Sequence, residues 1–133
     1  MSVLGELQPN KVFKYFEEIC SIPHGSRNLQ QISDYLVDFA KAHELKYRQD
    51  EDLNVIIWKD GSKGYEASEP VILQGHMDMV AVKEADCDKD MEKEGLDLEI
   101  NGDYISAKGT SLGGDDGIAV AYTPVSYTHL RAH

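Results

Sequence analysis

Residues 70–73 read PVIL, an apolar run with no polar alternation, and the residues directly after it, 74–78, read QGHMD. A run of this kind fits a strand buried on both faces, as in a sheet covered by helices. Upstream lie two segments of helical periodicity. Pro9 and Asn10 open the first, in which Val12, Phe13, Phe16, Ile19 and Cys20 recur at helical spacing, and Pro23 ends it, because a residue ahead of proline avoids the helical region. Leu29, Ile32, Leu36, Phe39 and Ala40 form the stripe of the second, which Ser26 or Asn28 is placed to cap and which ends near residues 43–45. Residues 46–50 read as a short strand, and LNVIIW (53–58), β-branched and aromatic, as another, followed by a turn at Asp60 and Gly61. Residues 96–100 and 104–107 flank Asn101, Gly102 and Asp103, a hairpin signal, since Asn-Gly accepts the positive φ of a tight turn. A glycine-rich stretch at 109–117 leads into a helix start at 118–122. The expected fold class is therefore α/β, a mixed sheet flanked by helices, with no internal repeats.

The bulk properties narrow the function. With 133 residues the chain has room for one modest core. Its 24 acidic residues against 13 basic ones give a net charge of -11, which repels nucleic acid phosphates and anionic membrane surfaces. Neither is an expected partner. No apolar run reaches the about 20 residues that span a bilayer, and MSVLGELQPN lacks the pattern of a signal peptide. A cytoplasmic location follows by default. Cys20 and Cys87 have no CxxC spacing, and Cys20 falls on the apolar face of the first helix, as a reduced core residue. Acids stand at every second position from Glu84 to Glu94. The calcium-loop reading fails because Met91 stands where the sharp turn needs glycine, which leaves a solvated loop.

Two clusters carry chemistry. His76 and Asp78 follow the PVIL run, at the carboxyl end of the expected strand, where ligands gather in open α/β sheets. A neutral imidazole is a good zinc ligand, and a nearby carboxylate fixes its tautomer. The same pair also fits a turn histidine hydrogen-bonded to an aspartate. The second cluster is GTSLGGDDG (109–117), with Asp115 and Asp116 adjacent at a helix start. It fits a helix cap or a metal site. Its glycines match neither nucleotide fingerprint, and it lacks a P-loop lysine.

Taken together, these segments resemble a known family. VILQGHMDMV (71–80) is similar to the strand and His-x-Asp loop of the cytosolic aminoacyl-histidine dipeptidases, also called Xaa-His dipeptidases or peptidase D. GDYISAKGTSLGGDDGI (102–118) resembles their second motif, a hairpin leading into GT[ST]LG[AG]D[ND]GI, and ICSIPH (19–24) matches their N-terminal helix end. The resemblance is collinear and reaches about Tyr122. It implies the N-terminal part of a zinc-peptidase catalytic domain, incomplete, over residues 1–123. It implies His76 and Asp115 as metal ligands, Asp115 bridging two Zn2+ ions, with Mn2+ or Co2+ also acceptable to such donors. Asp78 is implied as the catalytic residue that orients His76 and supports the activated water, and the peptide bond after the bridging aspartate is implied to be cis. The substrate class is dipeptides, of the Xaa-His type, and the parent enzyme is expected to be homodimeric. Neighbouring clan members, tripeptidases and N-acyl amino acid deacylases, share the same ligands. The family's general-base glutamate and remaining ligands lie downstream, so the chain itself is expected to be inactive and, with strand edges unpaired, marginally stable.

Residues 124–133 break the resemblance. Pro124 is expected to stop the helix just begun, and VSYTHLRAH (125–133) looks like the translation of a sequencing-library adapter. This tail is expected to be non-native, which leaves His129 and His133 without a role. Sequencing the source locus across the junction tests this. Recovery of the same codons in adapter-free genomic DNA would overturn it.

Overall fold

A computed structural model describes residues 2–128. Helix α1 (Asn10–Cys20) follows Pro9, whose extended backbone (φ -73, ψ 120) turns the chain into the helix after a cis Gln8–Pro9 bond. Its buried face is Val12, Phe16, Ile19 and Cys20. The helix closes at Ser21, whose N–H reaches the Glu17 and Glu18 carbonyls at 3.1 Å while its hydroxyl donates back to the Glu18 carbonyl. Helix α2 (Gln30–Ala42) buries Ile32, Ser33, Val37, Phe39 and Ala40. Its N-cap is Leu29, with no side-chain cap bond, so neither Ser26 nor Asn28 caps it. Both polar groups are taken elsewhere, Ser26 by Asp78 and Asn28 by the Glu92 carbonyl.

Strands β1 (Lys46–Gln49) and β2 (Val55–Trp58) pair antiparallel, Lys46 opposite Trp58. The Asp50 carboxylate ties their turn by accepting the N–H groups of Asp52 and Asn54. Strands β3 (Leu98–Asn101) and β4 (Tyr104–Ala107) form the expected hairpin, with Asn101 in the strand rather than in the turn. Asn101 pairs with Tyr104, so the turn centre is Gly102 and Asp103. Only Gly102 has positive φ (61), the pattern of a type II′ turn. Leu96 N–H donates to the Cys20 carbonyl and seats this hairpin on the end of α1.

Helix α3 (Gly114–Thr128) lies along α1, and its first residues are not helical: Asp115 (φ -90, ψ 107) and Asp116 (φ -119, ψ 26) form a kink. Phe16 packs beneath that kink, where a Cβ on Gly117 would come within 3.3 Å of its ring. The helix does not stop at Pro124, which is fully buried within it. Tertiary contact outweighs the backbone bond that proline removes: the Tyr127 hydroxyl donates to the Ile57 carbonyl at 2.9 Å, and its ring faces Phe39. His129 and His133 lie outside the described residues.

The α/β class is as expected, with the strands divided into two separate antiparallel pairs. The PVIL run is a different matter. Residues 70–73 form no strand, and Val71 and Ile72 are 84% and 86% exposed. A strand needs a neighbour to take its N–H and C=O groups. Among the described residues none lies beside this run, which instead borders an open groove with Ile56, Trp58 and Tyr65. The expected turn at Asp60 and Gly61 falls instead at Lys63 and Gly64.

Leu4, Ile19, Cys20 and Ile32 are fully buried at the centre of the core, joined by Leu98, Ala107, Val120 and Ala121. Burial pushes the Cys20 thiol up to about 12, with Glu17 adding to the rise. Alkylation of the native chain is therefore expected to modify Cys87 alone, and of the denatured chain both cysteines. Rapid native labelling of Cys20, read by mass spectrometry, would contradict this packing.

Candidate metal and catalytic site

Two loops carry the site and are laced together by main-chain bonds. Met79 N–H donates to the His24 carbonyl and Ser26 N–H to the Met79 carbonyl, both at 3.0 Å. On the other side Ser111 N–H donates to the Val82 carbonyl, and the Ser111 hydroxyl donates to the Val80 carbonyl at 2.6 Å. Gly113 (φ 70) lies so close that a Cβ there would sit 2.8 Å from the Met79 Cβ. Asp116 turns back toward Gly75, and a Cβ on Gly75 would lie 2.9 Å from its Oδ2. The Asp115–Asp116 peptide bond is cis, and Asp115 projects from the kink.

This lacing brings His76 and Asp115 together across 39 residues: His76 Nε2 lies 3.1 Å from Asp115 Oδ1. On the ring's other side, Nδ1 faces the Asp78 backbone carbonyl at 3.0 Å and Asp78 Oδ1 at 3.2 Å. Asp78 Oδ2 accepts the Ser26 hydroxyl at 2.6 Å. The three residues singled out in the sequence thus form one contiguous set. Ser26 and Ser111 hold that set in place, and the sequence points to neither for this role, its local pattern suggesting a helix cap for Ser26. Ser111 lies inside the second motif, while Ser26 lies two residues beyond the 19–24 segment and carries no sequence signal for this role.

The ring is surrounded by acceptors on both sides. A neutral imidazole has one N–H, so it cannot satisfy Asp78 and Asp115 together. Either a second proton or a cation between Nε2 and Asp115 completes the arrangement. Accordingly the Asp115 carboxylate, with the Asp78 carbonyl, pushes the His76 pKa up. The Ser26 hydroxyl, aided by the His76 ring, holds the Asp78 carboxyl below the usual carboxylate range. His24 is buried, and that burial pushes its pKa down.

The donors suit zinc. Two ligands at tetrahedral angles on one zinc, with bonds of about 2.0–2.2 Å, stand about 3.4 Å apart, close to the spacing of His76 and Asp115. They make only part of a site: among the described residues no group of three His, Cys, Asp or Glu is arranged to hold an ion. Asp115 is 95% exposed and the His76 side chain 54%, so their free sides face open solvent. In the 84–94 loop the acids serve local structure, Asp90 accepting the Glu92 N–H and pairing with Lys93 at 3.3 Å. No helix among the described residues is long and apolar enough to cross a membrane.

No family model matches the chain. Among solved structures it superposes on the crystal structure of the aminoacylhistidine dipeptidase from Vibrio alginolyticus with a TM-score of 0.88 and 36% identity, covering 92% of this chain and 25% of that one. Among curated proteins it is 39% identical over 121 residues to the cytosol non-specific dipeptidase of Escherichia coli (strain K12), covering 91% of this chain and 25% of that protein. Fold and sequence agree, and the chain is related to dipeptidases over nearly all of its length. Within that class, the resemblance to aminoacylhistidine dipeptidases read from its motifs stands. The chain spans about a quarter of the length of these relatives.

Proposed function

We propose that this chain is the opening metal-binding segment of a cytoplasmic two-zinc dipeptidase, and that the parent enzyme hydrolyses dipeptides, with Xaa-His among them. The observation that carries this is the His76–Asp115 contact of 3.1 Å with Asp78 backing the same ring. His76 and Asp115 would hold the metal, and Asp115 has a second oxygen free to reach another ion. When bound, zinc lowers the pKa of a water and polarises the scissile carbonyl. Asp78 keeps the proton of His76 on Nδ1, so that Nε2 presents its lone pair. Asp115, on a kink rather than within a helix turn, presents its carboxylate to solvent and substrate. Among the described residues no general base is assigned beside this pair, and on this reading the chain is inactive.

Zinc titration followed by calorimetry tests the metal assignment. His76→Ala and Asp115→Ala are each expected to weaken zinc binding by roughly 10-fold or more. Hydrolysis is assayed in parallel on an Xaa-His dipeptide, a tripeptide and an N-acyl amino acid, with this chain and with the full-length parent. The expected result is turnover of the dipeptide by the parent and none by this chain. Turnover by this chain, lost in His76→Ala, would refute the inactive-segment reading. Turnover by the parent of the tripeptide or acyl substrate alone would refute the dipeptidase reading.

A further inference from the structure

We propose that Ser26 is a positioning residue for His76, acting through the carboxylate of Asp78. An aspartate carboxylate rotates freely unless both oxygens are held. Here Oδ2 accepts the Ser26 hydroxyl at 2.6 Å, which leaves Oδ1 facing His76 Nδ1 at 3.2 Å. The Ser26 hydroxyl has one proton, and the other acceptor within reach, the Met79 carbonyl, is at 3.4 Å. The shorter, charge-assisted bond takes it.

The anchor is itself fixed. Ser26 N–H is bonded to the Met79 carbonyl, and Asn28 N–H to the Gly25 carbonyl at 2.8 Å. Gly25 forms a parallel bridge with Met79 and packs so tightly on Ala81 that a Cβ there would lie 2.8 Å from the Ala81 Cβ. The loop that ends the first helix is thus a splint for the loop that carries His76. Ser26 stands 52 residues from Asp78 in the chain, and it has no local task, because α2 starts at Gln30 without it. With Asp78 held, both of its acceptors face Nδ1, and the ring is set with Nε2 toward Asp115.

The consequence for metal binding rests on the function proposed above, but the geometric claim does not, so the test has two arms. In the first, long-range proton–nitrogen NMR of the metal-free chain reads the His76 tautomer at alkaline pH, where the ring is neutral. The wild type and Ser26→Thr are expected to show the Nδ1–H form. Ser26→Ala is expected to shift toward the Nε2–H form that free histidine favours. A wild-type tautomer in a folded Ser26→Ala would overturn the proposal. Should Ser26→Ala lose the native spectrum, Ser26→Cys, close in size but a weak donor, carries the same test. In the second arm, zinc titration is expected to show affinity lowered roughly 10-fold in Ser26→Ala and restored to within about 3-fold in Ser26→Thr. Equal zinc affinity in all three, with zinc bound, overturns the positioning role. No zinc binding by any variant, wild type included, counts against the metal reading, and the tautomer arm then decides the role of Ser26.

Discussion

Phe16→Ala is expected to lower the stability of the chain by about 3–5 kcal/mol, the cost of emptying a well-packed aromatic site. Phe16 is 3% exposed, sits in the main cluster with Val12 and Ile19, and presses on Gly117 where the kink gives way to regular helix. Domains of this size are stable by only about 5–15 kcal/mol, so a large share of the reserve goes. Thermal melts followed by circular dichroism are expected to show a midpoint roughly 10–25 °C lower, or no cooperative transition. A shift below about 3 °C would mean that Phe16 does not support α3 as described.

The second large effect is expected at Gly113→Ala, for two separable reasons. The residue has φ 70, which costs an L-residue about 1–2 kcal/mol. The added methyl would also meet Met79 Cβ at 2.8 Å and Sδ at 2.9 Å, an overpacking cost of about 1–3 kcal/mol. Met79 cannot retreat, because it is buried and its backbone is bonded on both sides to residues 24 and 26. Gly64→Ala supplies the comparison: φ is 91 there, but nothing lies within 4 Å of the added methyl. Urea titrations of both variants are expected to place Gly113→Ala below Gly64→Ala by about the overpacking cost. Equal losses would show that Met79 yields. Because Gly113 and Met79 adjoin Asp115 and Asp78, the displacement reaches the His76–Asp115 pair.

These sites differ in how openly the sequence announced them. The stripe of Val12, Phe16, Ile19 and Cys20 spelled out α1, because the periodicity of one helix is a local property. The hairpin was legible for the same reason, and Asn101 joins the strand because Gly102 carries the positive φ. His76, Asp78 and Asp115 were legible as a motif, and the cis bond after Asp115 came with the resemblance. Burial of residues 70–73 was not legible, because burial belongs to the neighbour as much as to the run, and an apolar string reads the same with or without a strand beside it. Ser26 followed a sound local rule to a wrong result: a serine ahead of a helix caps it unless a distant carboxylate offers a shorter bond. Pro124 shows the same competition, with the contacts of Tyr127 outweighing one lost backbone bond.

The lacing of the two loops also sorts the chain into parts that can and cannot change length. Lys83 bridges Thr110, and Glu84 N–H meets the Gly109 carbonyl, so everything between leaves and returns through one closed gate. Within that excursion Leu98 and Ala107 are anchored in the core, while Gly102 has open space around it and Tyr104 is 78% exposed. Lengthening a closed loop is cheap, about 0.6 kcal/mol per doubling. The tip of the β3–β4 hairpin is therefore a port for grafted sequence, such as an epitope or a fluorophore handle, with the sutured gate standing between the insert and His76.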